Sequence, residues 1–592
     1  MNKSQVIIVH IGPVQEFIFA ARRTRDLWYG SWLLSELSKA AALKIVEMND
    51  NDLDCLVFPA PESISDLQSV TFRSPNKVIA RIPHMVEIGN EVKKAVIDRL
   101  AKICDAVFEI DKIRGDFERD VARQQVLDLP EIYWVTCPIA NNYTFARKYA
   151  EALMAARKST RYFKPVTWGS PQPKSSLDGL RESVIPESAY EISNEEELRL
   201  NYGVRKGERL CGVGLLKRHG RRGKDDRFPS TSHLAALPLL GRLKDKQATE
   251  QLFSSLRKLG IPEDVLETTP MKHAVFGYND GHLLYEERLQ EFFTETNKLE
   301  QAKKKLQDFL KTAFNDERPL PYYALIKADG DNMGKTIDQL QVASHRQFSK
   351  CLSRFAAKVE CIVNEESGAL IFSGADDVIA LVPVHTALAC ARRLSKTFYQ
   401  EMAQFKTTDN GGEITPTLSA GLVVAHHLEP LSIILDLAAQ AEREAKAVEG
   451  KNALAITVNK RSGVARTIKG KWGDLDHRLT GFIELFCNEA LSSRGIYDLQ
   501  DLALRLGLQD YSVEISGALN NLARREAIRI LKRKKAEKGR SAVDENVMQQ
   551  LKGYILDEKF SIEQLAEELI VARTFAEVTI QSREPTGTVK EA

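Results

Sequence analysis

Two short acidic stretches stand out by residue type and spacing. The first, Ala324-Leu-Ile-Lys-Ala-Asp-Gly-Asp-Asn-Met-Gly334, reads as a buried strand ending on Asp329 and Asp331. The second, Leu370-Ile-Phe-Ser-Gly-Ala-Asp-Asp-Val-Ile-Ala-Leu381, reads as two apolar β runs joined by a tight turn that carries Asp376 and Asp377. Between them Phe348, Leu352, Phe355, Val359 and Ile362 recur at near-helical spacing, so one face of that helix is apolar. The order strand, helix, hairpin lets the first strand pair alongside the hairpin and brings three or four carboxylates to one edge of a sheet. Carboxylates so crowded repel one another and desolvate badly unless a divalent cation sits between them. Two such cations serve in-line phosphoryl transfer, one activating the attacking oxygen and the other stabilising the leaving one.

Neither half suffices alone. Asp-Gly is a turn dipeptide, and two acids at a hairpin tip read as a solvated turn. A calcium loop beginning at Asp329 fails on spacing, because its fifth position is Met333 and its twelfth, where a bidentate Glu is needed, is Leu340. Acids flanked by strands buried on both sides favour the metal site. The constellation resembles the palm of nucleotidyl cyclases and polymerases, in which a Gly-Gly-Asp-Asp turn faces an Asp on the neighbouring strand.

The elements that must position these acids belong to a long chain. Its 592 residues exceed one core and imply three to five domains, and 43% hydrophobic with 28% charged residues is the balance of a soluble globular protein. A net charge of +2 gives no global pull toward nucleic acid, so any such contact needs a local patch. Eight cysteines are scattered without a CxxC pair, which argues for a reducing compartment and against a disulfide framework or an obvious zinc site. The apolar run Val6–Ile11 is too short for a signal peptide, and no stretch approaches 18 apolar residues. The expectation is a cytoplasmic protein with no membrane contact.

Read in order, the fold class is α+β. Strands near 5–10, 53–58, 77–82 and 132–137, with helices near 33–47 and 87–105, spell β-α-β-β-α-β, the split βαβ of a ferredoxin-like fold. Strands 322–328, 369–373, 378–382 and 417–425 with helices 344–363 and 386–405 repeat that order, followed by helix 430–449 and strand 453–459. Four units are expected: a first, acid-free palm over 1–150; a mixed and helical module over 151–315; a second, acid-bearing palm over 316–462; and a helical bundle over 463–592. The basic clusters 217–224 and 524–535 read as solvated faces, with RNA contact as the alternative. The tail from Gln581 reads as disordered.

A set of ordered motifs now carries a resemblance. Ile11-Gly-Pro-Val-Gln-Glu-Phe-Ile18, Ala21-Arg-Arg-Thr-Arg-Asp-Leu-Trp-Tyr-Gly-Ser-Trp32, Pro75-Asn-Lys77, Ser176-Leu-Asp-Gly179, Arg227-Phe-Pro-Ser-Thr-Ser232, Asp329-Gly-Asp-Asn-Met-Gly334 and Gly374-Ala-Asp-Asp377 resemble the large, polymerase-like subunit of type III-B (Cmr) CRISPR effector complexes. The resemblance covers about residues 1–460. It implies two palms and a catalytic palm that converts ATP into a signalling nucleotide, usually cyclic oligoadenylate, when guide RNA pairs with target RNA. It also implies protein partners: a crRNA-end-binding subunit, backbone subunits and small helical subunits, the last docked by the C-terminal helices.

Three departures from that family matter. Many members begin with a histidine–aspartate nuclease domain; this sequence starts on the first palm strand and has no His-Asp doublet, so DNA cleavage by this subunit is not expected. Where relatives carry paired cysteines, Leu210–Arg218 keeps only Cys211 and Lys174–Gly179 keeps none, so the module is expected to fold without zinc. Ala375 replaces the second Gly of the turn and is expected to fit only if its φ stays negative.

Asp376 and Asp377 are the leading catalytic candidates, with Asp329 as the neighbouring ligand and the Gly330 carbonyl or Asp331 completing a set for two Mg²⁺ or Mn²⁺ ions. Ser373 and Gly374 are small enough to admit a base or phosphate; Asn332, Lys446 and Asn452, with Lys451, are candidates for the triphosphate. In the first palm, His10, Asn76 and Lys77 are candidates for holding a second nucleotide. Alternatives to the cyclase are AMP transfer to S-adenosylmethionine, a template-directed polymerase, and a catalytically silent architectural subunit.

Overall fold

Strand β1 (Ser4–Gly12) explains why the first apolar run is continuous. Its odd residues Ile7, Val9 and Ile11 enter one apolar cluster and its even residues Val6 and Ile8 another, so both faces of the strand are covered. The computed structural model describes residues 4–583, apart from 110–112, 141, 161–170, 222, 224–225, 271, 294, 410–411, 462, 492, 507–512, 534–544 and 558–559. Parts of the basic clusters 217–224 and 524–535, and the tail beyond 583, lie outside these residues.

With β2 (Leu56–Phe58), β3 (Lys77–Pro83) and β4 (Glu131–Pro138), β1 forms an antiparallel sheet in the order β2-β3-β1-β4. The helices Thr24–Glu47 and Ile88–Val107 pack together on one face, and Tyr143–Ser159 covers the other. That is the expected split βαβ. The last of these helices runs through residue 150, where the sequence reading ended the first palm.

The second sheet has the order β12-β11-β10-β5-β7-β6. Its strands are β5 (Tyr322–Asp331), β6 (Ala369–Gly374), β7 (Asp377–Pro383), β10 (Thr417–His426), β11 (Ala453–Asn459) and β12 (Arg466–Lys471); β8 (Thr407–Asp409) and β9 (Gly412–Ile414) form a separate small hairpin. The subset β10-β5-β7-β6 repeats the first sheet's connectivity, and β5 is again a central strand. Helices Val342–Glu365 and Val384–Met402 lie on the face of Ala324, Ile326 and Ala328. Helix Leu431–Lys446 lies on the opposite face, over β10 and β5. β12 was not anticipated: Arg466–Lys471 holds one apolar residue, Ile468, in a charged run, and only pairing to β11 makes it a strand.

Five helices, Leu475–Cys487, Ser493–Leu506, Val513–Arg533, Glu545–Leu556 and Ile562–Ser582, form the C-terminal region. Gln581 is not part of a loose tail. It is buried, its side-chain amide donates to Arg318 O at 2.9 Å, and its Oε1 accepts from Leu320 N–H at 2.9 Å. Within the basic helix, Arg524 is buried as well and donates to Asp557 O and Phe560 O. Among the described residues no helix is long and apolar enough to cross a membrane.

The basic cluster at 217 differs most from expectation. Lys217 and Arg218 are neither solvated nor available to RNA: both are among the largest fully buried side chains. The Lys217 ammonium donates to the carbonyls of Phe17, Ile18 and Ala20 at 2.7, 3.3 and 2.8 Å. Arg218 Nη2 bridges Asp26 Oδ2 at 2.9 Å and Glu208 Oε1 at 2.8 Å. Burial alone would push both carboxyls up; the guanidinium's charge and hydrogen bonds bring them below their ordinary values. These contacts tie the middle module to the Thr24–Glu47 helix. Arg218→Leu strands two buried carboxylates without a counter-charge and is expected to cost about 3–5 kcal/mol, read as a lower urea midpoint. A loss below about 1 kcal/mol would show the triad contributes nothing net.

Candidate active site

The acids gather at the end of the central strand, because β5 and the β6–β7 hairpin pair in antiparallel register up to Ala328↔Val378. One further step sets Asp329 across from Asp377, and a second sets Gly330 across from Asp376. The second step is visible in the packing: a Cβ on Gly330 would lie 2.9 Å from Asp376 Cβ and 3.0 Å from its Oδ2. Glycine at 330 is therefore what admits Asp376. Both turn acids are half-buried. Burial, then the neighbouring Asp377 charge, pushes the Asp376 carboxyl up to about 7. Burial raises Asp377 too, partly offset by Lys327.

Ala375 departs from expectation by standing at φ +67°. A left-handed residue with a Cβ costs roughly 1–2 kcal/mol. The methyl is nonetheless buried in the apolar cluster that contains Met333 and Val378. Gly374 is required by its neighbour, since a Cβ there would fall 2.2 Å from the Phe372 ring. Ser373 is buried, and its Oγ has no partner among the described residues.

The other candidates divide into two groups. Asp329 is drawn to Lys446, whose ammonium also lies 3.4 Å from Glu442 Oε1; Glu442 in turn pairs with Lys327. Burial, with Lys451 and Lys327 nearby, lowers Lys446 to about 8. Asp331 is locked instead of open: its Oδ2 accepts from Thr417 Oγ1 and Ser419 Oγ at 2.8 Å each and from the Asn452 backbone N–H at 3.1 Å. Asp331 Oδ2 and the Asn452 backbone thus hold the strand ends together, while Asp331 Oδ1 is buried without a hydrogen-bond partner among the described residues. Asn332, at φ +61°, turns the chain into the Met333–Ile337 helix.

Among the described residues no three His, Cys, Asp or Glu side chains converge as they would around an ion. The expected gathering of three carboxylates is therefore incomplete, because Asp329 faces Lys446. The donor chemistry still fits a hard divalent cation: carboxylate oxygens, two of them costly to ionise without one, with a third carboxylate directly across the register. Lys327 and Glu442 were missed by sequence reasoning. Their signals were a lone lysine inside an apolar strand and a Glu-to-Lys spacing of one helical turn.

In the first palm the equivalent positions are one and two steps past His10↔Lys77, namely Ile11 with Asn76 and Gly12 with Pro75. None is acidic. His10 Nε2 lies 3.1 Å from Asn76 Nδ2 and 3.3 Å from Lys158 Nζ, while burial, then Lys158 and Lys77, lowers the imidazole to about 4. A neutral ring accepting at Nε2 carries its proton on Nδ1, which is buried without a partner among the described residues. Lys77 is not free for a phosphate: Glu151 takes its ammonium at 2.5 and 2.6 Å. Glu151 also lies 3.6 Å from Arg147, which binds Asp338 at 2.6 Å, just past the Met333–Ile337 helix. One chain of charges thus joins the strand end of the first palm to the segment that follows Asp331. Tyr143 with His345 (3.0 Å), Thr144 with Leu340 O (3.0 Å) and Arg346 with Leu56 O (3.1 Å) complete the contact.

Residues 322–455, which bracket every acid of the site, match the family described as Cas10/Cmr2, second palm domain, and residues 6–105 match CRISPR-associated protein Cmr2, N-terminal. Each palm thus overlaps a stretch that matches a Cmr2 family model. The CRISPR system Cmr subunit Cmr2 of Pyrococcus furiosus is 25% identical over 548 residues, covering 77% of this chain and 61% of that relative. The chain therefore spans about three fifths of that family member's length. Two structures of Type III-B Cmr-beta, in the apo state and bound to cognate target RNA, share the fold at TM-score 0.62. Their identities are 14% and 13%, covering 97% of this chain and 82% and 83% of theirs.

Two outcomes follow for the second palm. Ala375→Gly relieves the left-handed strain but loses a buried methyl worth about 0.8 kcal/mol and loosens the unfolded chain by about 0.5–1 kcal/mol. Urea unfolding is expected to change by less than about 1 kcal/mol, the residue of these opposing terms. Second, a cation must displace the proton held near 7 on Asp376. Mn²⁺ affinity, measured from the paramagnetic resonance of the free ion, is expected to rise as pH goes from about 6 to about 8 and then level off. The metal-free fold has the opposite slope: Asp376 titrates higher folded than unfolded, so its contribution is lost as pH rises through about 7.

Proposed function

We propose that this chain transfers AMP from ATP to the hydroxyl of a second adenosine nucleotide, making a signalling nucleotide of the cyclic oligoadenylate kind. The observation that carries the reading is the pairing of two like palms, one ending on Asp329, Asp376 and Asp377 and the other on Ile11, Asn76 and Pro75, with their strand ends joined through Lys77, Glu151, Arg147 and Asp338. In the reaction a bond forms between the acceptor hydroxyl oxygen and the α-phosphorus of ATP. The bond from that phosphorus to the bridging oxygen breaks, and pyrophosphate leaves.

Asp376, Asp377 and Asp329 would hold Mg²⁺ or Mn²⁺, which when bound supplies charge neutralisation for the triphosphate and lowers the pKa of the attacking hydroxyl. Lys446, released from Asp329, offers a cation to the departing phosphates. Ser373 offers an unpaired hydroxyl beside the turn acids, and Gly374 makes room for the Phe372 ring packed against the turn. Asp331, pinned by Thr417, Ser419 and Asn452, keeps the strand end from moving when charge develops. On the acceptor side, the His10 Nδ1–H has no partner of its own among the described residues and can donate to a base or ribose oxygen. The acceptor must sit within about 3–3.5 Å of the phosphorus, which makes the angle between the palms a control point for target RNA. The chain works, on this reading, inside an assembly with other Cmr subunits, a guide RNA and a target RNA.

The test is incubation of the assembled complex with labelled ATP, with and without target RNA, and with S-adenosylmethionine in a parallel tube to detect that acceptor. Asp376→Asn with Asp377→Asn is expected to cut product at least 100-fold while melting at an equal or higher temperature, since the crowded charges are gone. Product at the wild-type rate would place the chemistry elsewhere.

A further inference from the structure

Glu442 lies outside the acid set yet is held in a defined place. Helix Leu431–Lys446 approaches β10 so closely that a Cβ on Gly421 would fall 2.4 Å from Glu442 N and 2.8 Å from Ala441 C. Gly421 is the register partner of Lys327 on β5. The contact therefore sets Glu442 over Lys327, and the two side chains pair with both largely buried. One helical turn further, a rise of about 6 Å, brings Lys446 level with Asp329, two residues and about 6.6 Å along the strand. Helix and strand run in step, and charge alternates along them: Lys327, Glu442, Lys446, Asp329. Lys446 thus stands between two carboxylates, one of them belonging to the acid set.

We propose that Glu442 is a positioning residue for the transfer reaction: it holds Lys446 so that the ammonium can leave Asp329 for an incoming polyphosphate without being lost to solvent. Glu442 touches neither substrate nor cation. It competes with Asp329 for the same ammonium, so its charge governs how readily Asp329 is freed. The inference rests on the proposed nucleotide site and adds to it a residue that the acid pattern does not include.

The test is a double-variant cycle read by Mn²⁺ binding to the full chain without nucleotide, alongside the KM and kcat for ATP of the complex. Lys446→Met frees Asp329 and is expected to tighten Mn²⁺ several-fold while raising the KM for ATP. Glu442→Gln leaves Lys446 on Asp329 and is expected to weaken Mn²⁺ at least threefold and raise KM, with kcat changed less than twofold. The double variant should bind Mn²⁺ within twofold of Lys446→Met alone, because Glu442 has nothing left to act through. Glu442→Asp, which keeps the charge, should recover part of the affinity. Should Glu442→Gln unfold because Lys327 is left unpaired, Lys327→Met alone is compared with Lys327→Met carrying Glu442→Gln, and the second must bind Mn²⁺ at least threefold more weakly than the first. Effects that multiply in the double variant, or no change in Glu442→Gln, would overturn the proposal. A cycle that behaves as expected in a chain making no product would overturn the proposed function alone, and a wild-type chain that binds no Mn²⁺ would overturn both.

Discussion

Negative charge concentrated where water is scarce governs the second palm. Asp376 and Asp377 sit side by side in a turn that Gly330 allows to fold tightly onto β5, and burial raises both carboxyls. Such a pair is stable only with a proton, a cation or nearby ammonium groups. The surrounding chain supplies the last of these. Lys327 moderates Asp377, Lys446 holds Asp329, and Glu442 keeps the two lysines in place. Asp331, two residues beyond Asp329, has one carboxylate oxygen held by two hydroxyls and a backbone N–H and the other buried without a partner among the described residues. The result is a site arranged around charge that a metal–nucleotide complex would neutralise.

The two palms share connectivity and differ in what stands at the strand ends. Both use a central first strand buried on both faces, flanked by the third and fourth strands. In the first palm, asparagine, proline and isoleucine replace the acids, and a neutral histidine occupies the last paired position. Such a palm has no charge reason to bind a cation, but it keeps donors that suit an uncharged part of a nucleotide. The charge chain from Lys77 to Asp338 means that a change in the angle between palms must stretch or repack the pair between buried Arg147 and half-exposed Asp338.

Elsewhere the chain is held by cations inside the protein. Lys217 binds three carbonyls of the turn before the Thr24–Glu47 helix, and Arg218 joins Asp26 to Glu208. Two carboxylates meet the Arg218 charge, whereas burial lowers Lys217 to about 8 in spite of its three carbonyls; adjacent basic residues that look soluble in one dimension thus lie inside the protein as links between modules.

Periodicity and order carried most of the fold into the sequence. Continuous apolar runs in β1 and β5, helical spacing in 344–363, and the repeated β-α-β-β-α-β order specified two palms, because a run buried on both faces and a helical period are local properties of the chain. The identity of the acid pair was legible for the same reason: a turn between two apolar strands puts Asp376 and Asp377 at a sheet end whatever surrounds them. Partnership was not legible. Whether Lys446 faces Asp329 or solvent, whether Asp331 is a ligand or a lock, and whether Lys77, Lys217 and Arg218 meet RNA or a buried carboxylate depend on residues tens to hundreds of positions away. A side chain's charge is written in its own codon. Its electrostatic role is the sum of what folding brings within a few ångströms of it, and here that sum was decided by the close approach of one helix at Gly421, one turn at Gly330 and one module at Arg218.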